Sequence, residues 1–381
     1  MSSIKRKTSF FIYHTGKKST KFTAKIILTL RKVSADMDSL GIHIRNMREN
    51  AGYSPQQFAG ISHIPLPALL QMEQGQLLPS KYQLLQFAGQ LSLSASPLIT
   101  QHHTELIKRS QGTSCRTNAL TQELQRWQQN NIILESFPVP ANLQHVIESM
   151  VYYACTNHSY QSEKLLPDGF AQLILNLNNA TALLIGQRDA PLLLPQESRI
   201  HRVIVRFQPD GLFACTGIPQ QEILNKAIDA TPLLGKEITE WMTACLHSTK
   251  WLFEQVAQFF ITKLSATEAL PIEAKVIRYL ITNIDQPLPL LVEKSGYSQK
   301  HLIHLFRMRV GVTPKVFQQI HLFSNSIQAI SLLPTARLSG YNWSESYFDQ
   351  AHFNRQFSRF SGFTPTAYLN TGATCPRMVQ L

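Results

Sequence analysis

The sequence predicts an α+β multidomain chain, with all-helical blocks at both ends and a β-rich centre. Three observations predict it. Apolar residues recur at helical spacing over residues 39–94 and again over 272–370, while between them short apolar runs are bounded by turn residues. The 381 residues exceed one average domain. A composition of 44% hydrophobic and 16% charged residues supplies apolar material for several cores and excludes wholesale disorder.

Residues 1–36 hold nine Lys/Arg against one acid, Asp36, whereas the rest of the chain holds 27 bases and 23 acids. Most of the +12 net charge therefore belongs to this leader. It lacks the apolar core, roughly 7–15 residues long, of a secretory signal. Met37 opens Met-Asp-Ser-Leu-Gly beside the first patterned residues, and the expectation is that translation starts there, residues 1–36 being a mis-assigned extension. No apolar run is long enough to span a bilayer, so no membrane partner is expected. The cysteines (115, 155, 215, 245 and 375) are scattered without a C-x-x-C, which suits a reducing, cytoplasmic setting.

The first block, residues 37–94, contains four short helical patterns. Ile42, Ile44, Met47 and Tyr53 give a first helix an apolar face, ending near Gly52. Ser54 is a good N-cap for a second, with Phe58 and Ala59 inward. A third runs from about Leu66 to Met72 and stops before Gly75, and a fourth carries Leu84, Leu85, Phe87, Ala88 and Leu91. Residues 95–130 are polar and mixed and are expected to form a linker with one weak helix.

Residues 131–265 form the central domain, expected to be a small antiparallel barrel or sandwich followed by helices. Its strand candidates are Leu173–Leu177, Ala182–Ile185, Leu192–Leu194 and Ile200–Phe207, punctuated by Pro167-Asp168-Gly169 and Pro209-Asp210-Gly211. Asp168 and Asp210 fit turn chemistry better than a carboxylate pair for acid/base work, and no enzyme is expected. His102, His103 and Cys115 match no metal-ligand spacing, so neither metal nor cofactor is expected. Trp241, Trp251, Phe259 and Phe260 read as core.

The strongest signal is an internal repeat in residues 270–370, before a short tail at 371–381. Ser298, Leu302, His304, Phe306, Gly311, Thr313 and Pro314 return 51 residues later as Asp349, Phe353, Arg355, Phe357, Gly362, Thr364 and Pro365. Ser or Asp can N-cap a helix, and the i, i+4 apolar pair buries one stripe. The glycine suits the left-handed residue that ends the helix, and Thr-Pro starts another at once. A short helix with a polar outer face and a sharp lead-in is how a recognition helix is built.

This segment resembles the AraC-type DNA-binding module over about residues 272–370. The carrying residues are Gly296-Tyr297-Ser298, Leu302, Phe306, Gly311-Val312-Thr313-Pro314, then Tyr347-Phe348-Asp349-Gln350-Ala351-His352-Phe353, Phe357 and Gly362-Phe363-Thr364-Pro365. The resemblance implies two helix-turn-helix units joined by a central helix, here about Lys315 to Leu333 with Phe317, Ile320, Ile327 and Ile330 inward. It implies DNA contact by Gln299, Lys300, Ile303, His304 and Arg307 in the first unit, and by Gln350, Ala351, Asn354 and Arg355 in the second. The lead-in to the second helix, residues 334–348, departs from the family spacing and leaves two registers open.

Residues 37–94 resemble the Cro/repressor-like (XRE) helix-turn-helix through Arg48, Ala51-Gly52-Tyr53-Ser54, Phe58-Ala59, Leu69, Glu73, Gly75 and Pro79. The helix at the recognition position reads Ile64-Pro65-Leu66-Pro67-Ala68-Leu69-Leu70, so only Gln71 is left to read bases. Through Leu166-Pro167-Asp168-Gly169, Val205-Arg206-Phe207-Gln208-Pro209-Asp210-Gly211 and Pro232-Leu233-Leu234-Gly235, the central domain resembles the sensor-like halves of some AraC-type regulators, which implies dimerisation or effector binding. The expected function is a sequence-specific transcriptional regulator bound to double-stranded DNA as a homodimer. A small-molecule effector and contact with RNA polymerase stand as further partners. The alternative is a protein-interaction adaptor with decayed helix-turn-helix units.

Overall fold

The structure, a computed structural model, describes residues 39–109, 132–155, 163–195, 199–235, 237–244, 249–265, 272–331, 349–370 and 378–380, except His63 and Ser92, together with Glu197, Leu338 and Tyr347. The basic leader with Met37, residues 110–131, most of the irregular 334–348 segment and residues 371–377 lie outside the described residues.

Five helices build the N-terminal block: α1 (Leu40–Asn50), α2 (Pro55–Ile61), α3 (Leu66–Glu73), α4 (Lys81–Gln90) and α5 (Ser96–Arg109). Ser54 and Ser80 each form a capping box, with Gln57 and Gln83 reaching back to the cap N–H. Leu40, Ile44, Phe58, Leu69, Met72, Leu84 and Phe87 make the core. Ile42, assigned by its spacing to the apolar face of α1, instead lies 39% exposed, because Leu40 and Ile44 supply the inward stripe.

The expected linker also needs correction. Residues 96–109 are α5, and Ala95, Leu98, Ile99 and Leu106 close the same core. His102 and His103, read as polar linker residues, are fully buried in it. Their polarity masked the apolar stripe on which they sit.

The centre holds two antiparallel sheets. The larger contains β1 (Ile133–Phe137), β2 (Ile147–Cys155), β4 (Gln172–Asn176), β5 (Thr181–Ile185), β7 (Ile200–Phe207) and β8 (Ala227–Asp229), in the order β1-β2-β7-β4-β5-β8. The smaller runs β6 (Leu192–Leu194), β3 (Glu163–Leu165) and β9 (Met378–Gln380), the last from the C-terminal tail. Both faces of the larger sheet are covered. Ile174, Ile185 and Ile204 meet Leu165 and Leu194 of the smaller sheet. Their neighbours Leu173, Leu175, Leu184, Val203 and Val205 point the other way. That second face packs on α8 (Glu237–Ala244) and α9 (Thr249–Ser265) through Ile238, Met242, Leu252, Val256 and Phe260. Short helices α6 (Gly211–Thr216) and α7 (Thr231–Leu234) connect these layers.

The C-terminal block comprises α10 (Ile272–Thr282), α11 (Leu288–Ser295), α12 (Gln299–Val310), α13 (Pro314–Ser331), α14 (Gln350–Ser361) and α15 (Pro365–Asn370). Along α13, Phe317, Ile320, Phe323, Ile327 and Ile330 are all buried and carry one core through the block. Leu302 and Phe306 of α12 and Phe353 and Phe357 of α14 enter that same core.

Candidate nucleic-acid interface

Helices α12 and α14 are built alike. The Ser298 hydroxyl accepts from His301 N at 3.3 Å, and the Asp349 carboxylate accepts from His352 N at 2.6 Å. Each helix then ends on a left-handed glycine, Gly311 at φ 97° and Gly362 at φ 73°. These are backbone angles that a side chain rarely adopts. Thr313 and Thr364 next cap α13 and α15 through Val316 N and Ala367 N. The repeat is thus a repeated helix with the same start, buried stripe and stop.

With the stripe turned inward, the opposite face is left to solvent. Gln299, Lys300, His304 and Arg307 are exposed along α12, with Ile303 half-buried between them. Gln350, Ala351 and Arg355 are exposed on α14, and Asn354 is half-buried. Among the described residues no ion pair ties Lys300, Arg307 or Arg355 to an acid, so each presents an uncompensated cation. Such a face, carrying donors and positive charge on a rigid helix, can hold phosphates and reach base edges. The helix that would precede α14 in the second unit falls outside the described residues.

The N-terminal block presents a different surface. At the N-cap and along α3, Pro65, Pro67, Leu70 and Gln71 are exposed, so Gln71 stands beside apolar neighbours. The helix is held from below by a buried ion pair. Arg48 reaches Glu73 with Nε at 2.6 Å from Oε1 and Nη2 at 3.0 Å from Oε2, and its Nη1 donates to the Tyr53 carbonyl at 2.8 Å. The Glu73 carboxylate raises the Arg48 guanidinium above its ordinary value.

Two aspartate-centred charged clusters of the central domain escaped detection from sequence. Asp168 is wedged between Arg188 Nη2 at 2.8 Å and Arg206 Nη2 at 2.9 Å, and Arg206 continues to Glu148 at 3.0 Å. Burial pushes Arg188 down from its ordinary value, and the Asp168 charge opposes that shift. Asp210 faces Arg278 Nε at 3.4 Å and Arg309 Nη2 at 3.7 Å, both from the C-terminal block. Arg309 also lies over the Phe213 ring at 4.6 Å. Both aspartates thus do more than shape Pro-Asp-Gly turns. Asp210 ties the C-terminal end of α12 to the central domain, and Gly311 fits closely there, with its missing Cβ only 3.1 Å from the Gln220 carbonyl. A repeated Pro-Asp-Gly beside an arginine-containing strand was the available signal, but pairing partners 68 and 99 residues away leave no local pattern.

Among the described residues no group of three or more His, Cys, Asp or Glu could hold a metal ion. No described helix is long and apolar enough to cross a membrane. Burial drives the Cys215 thiol up to about 12, which leaves it a poor nucleophile.

Residues 135–229 match a family described as a domain of unknown function, DUF6597. No curated protein matches the sequence. Among solved structures, an HTH_3 family transcriptional regulator from Vibrio cholerae is similar at 16% identity and TM-score 0.20, covering 44% of this chain and 87% of its own. An apo variant of ToxT from Vibrio cholerae is similar at 13% identity and TM-score 0.30, covering 64% and 98%. Wild-type ToxT with an unsaturated fatty acid bound is similar at 13% identity and TM-score 0.29, covering 57% and 90%. Likeness at this level assigns no function.

Proposed function

We propose that this chain is a sequence-specific DNA-binding transcriptional regulator of the cytoplasm, with α12 and α14 entering two successive major grooves of double-stranded DNA. The repeated helix carries this reading. Two helices of one design, 51 residues apart, share a core and expose polar, cationic faces. Helices so paired on a rigid connector reach grooves about 10 bp apart on one side of the duplex. In this reading Gln299, Lys300, Ile303, His304 and Arg307 meet one half of the operator, and Gln350, Ala351, Asn354 and Arg355 meet the other. Arg355 is the principal guanine reader, because its planar fork can bond O6 and N7 together. The central domain pairs two copies or takes a small-molecule effector. RNA polymerase is a partner of the DNA-bound form.

The N-terminal block has a subordinate part. Its α3 exposes prolines and a leucine where base-reading donors would stand, which favours docking by shape or onto protein rather than base reading. Footprinting the full chain on selected genomic fragments tests the proposal. Two protected major grooves are expected, and Arg355→Ala should relax preference in one of them at about 1–3 kcal/mol. A single protected groove, unchanged by Arg355→Ala, removes α14 from the reading machinery. Absence of any sequence preference removes the proposal and leaves the adaptor reading.

A further inference from the structure

The loop between β5 and β6, residues 186–191, is tied down along its own length. The Gln187 carbonyl accepts from Asn225 N at 2.8 Å, and the Gln187 side-chain amide donates to the Gly169 carbonyl. Arg188 is buried and reaches Asp168 at 2.8 Å. Asp189 N donates to Asn225 Oδ1 at 3.0 Å, and Asn225 Nδ2 donates back to Asp189 Oδ1 at 2.7 Å. Asn225 does this from a left-handed φ of 57°, a conformation its short amide side chain tolerates. Bonded through both backbone and side chains, the loop is held in one shape.

Both repeated helices end on this loop. A Cβ on Gly311, which stops α12, would fall 3.2 Å from Gln187 Cβ. A Cβ on Gly362, which stops α14, would fall 3.7 Å from Pro191 Cγ and 3.4 Å from Lys164 Nζ. The two glycines lie 51 residues apart in the chain, yet their seats, 187 and 191, belong to one short loop. Arg359, in the last turn of α14, adds an ion pair to Asp189 at 3.8 Å. Lys164 stands over the Phe363 ring at 4.1 Å. The connector α13 rests on the same surface, for a Cβ on Gly169 would fall 3.3 Å from the Phe317 ring. Gly169 is also the residue to which Gln187 is anchored.

Close-packed contacts transmit a displacement rather than absorb it. A shift of the loop therefore moves the end of α12 relative to the end of α14. We propose that this loop sets the separation of the two helices, with Gln187 and Pro191 as their seats and the Asp189–Arg359 pair as the tie to α14. The central domain thereby chooses which half-site spacing the chain reads. That last step rests on the function proposed above, whereas the separation of the helices does not.

Double electron–electron resonance on the full chain without DNA measures the separation directly. Spin labels are attached through p-acetylphenylalanine encoded at Gln299 and Gln350, equivalent and exposed positions of the repeat. Two glycines inserted between Asp189 and Ala190 part the two seats, and should shift or broaden the distance distribution by about 2 Å or more. Arg359→Glu sets an acid against Asp189 and should do the same, whereas Arg359→Lys should keep the wild-type distribution. Arg359 is 46% exposed, so its variants guard against an insertion that fails to fold, and melting curves check each protein. An unchanged distribution in either folded variant overturns the proposal. On DNA, with half-site separation varied one base pair at a time around 10 bp, the wild type should favour one spacing by at least about tenfold. Arg359→Glu should lose that preference. Shifted distances with the preference kept overturn the role in operator choice. Shifted distances with no DNA bound at any spacing sustain the seat and remove the function proposed above.

Discussion

Replacing Asp210 with asparagine should loosen the grip of the central domain on α12. Asp210 is 2% exposed in its side chain and Arg309 is 7% exposed, at 3.7 Å. At an effective dielectric of 20, a pair at that distance attracts by about 4 kcal/mol before desolvation is counted. Burial already depresses Arg309 from its ordinary value, and the Asp210 charge opposes this. Removing the carboxylate strands that guanidinium, and breaking a buried pair from one side costs about 3–5 kcal/mol. Arg278, 24% exposed, relaxes toward solvent and contributes less. Urea unfolding of the full chain and its variants measures this, with Arg309→Met as the partner in a double-mutant cycle. The methionine retains length and apolar contact with Phe213 but needs no counter-ion. The Asp210→Asn change should therefore cost much less when Arg309 is already methionine, with a coupling of about 1–3 kcal/mol. Additive losses within about 0.5 kcal/mol would refute the idea that the pair holds α12 in place.

Lys300→Ala, if Lys300 meets phosphate, should weaken binding to all DNA sequences alike and reduce the salt slope by about one, read from titrations at several salt concentrations. Gln71→Ala should change operator affinity by less than about 0.5 kcal/mol in the same titrations, since α3 offers little else to read bases. His102 gives a pH dependence of stability. Burial, with Lys81 nearby, lowers it to about 3 from 6.5, so the unfolded chain takes up the proton first. Stability should therefore fall as pH drops below 6.5, by about 2–3 kcal/mol at pH 4.5, and keep falling until about pH 3. The slope between these limits should flatten in His102→Leu, as followed by urea unfolding across pH, and equal slopes in both proteins would count against the buried neutral histidine.

The helical ends, the strands β4, β5, β6 and β7 and the repeated cap-stripe-glycine unit were legible in the sequence because each is written in local code. Period two or 3.6, a capping side chain and a left-handed glycine act within about ten residues. The exposed faces of α12 and α14 follow by elimination once the Leu302/Phe306 and Phe353/Phe357 stripes turn inward. Strands β1, β2 and β3 carry mixed polar residues such as Glu135, Glu148 and Glu163, so periodicity hides them, and their pairing partners decide them. The same holds for α5, whose two histidines look solvated until a core closes over them. The ion pairs of Asp168 and Asp210 belong wholly to the tertiary structure. An aspartate in a turn reads as turn chemistry from sequence, and only when Arg278 and Arg309 arrive from another block does burial turn it into an electrostatic tie. Local propensity is set by neighbours in the chain, but desolvation and charge pairing are set by neighbours in space.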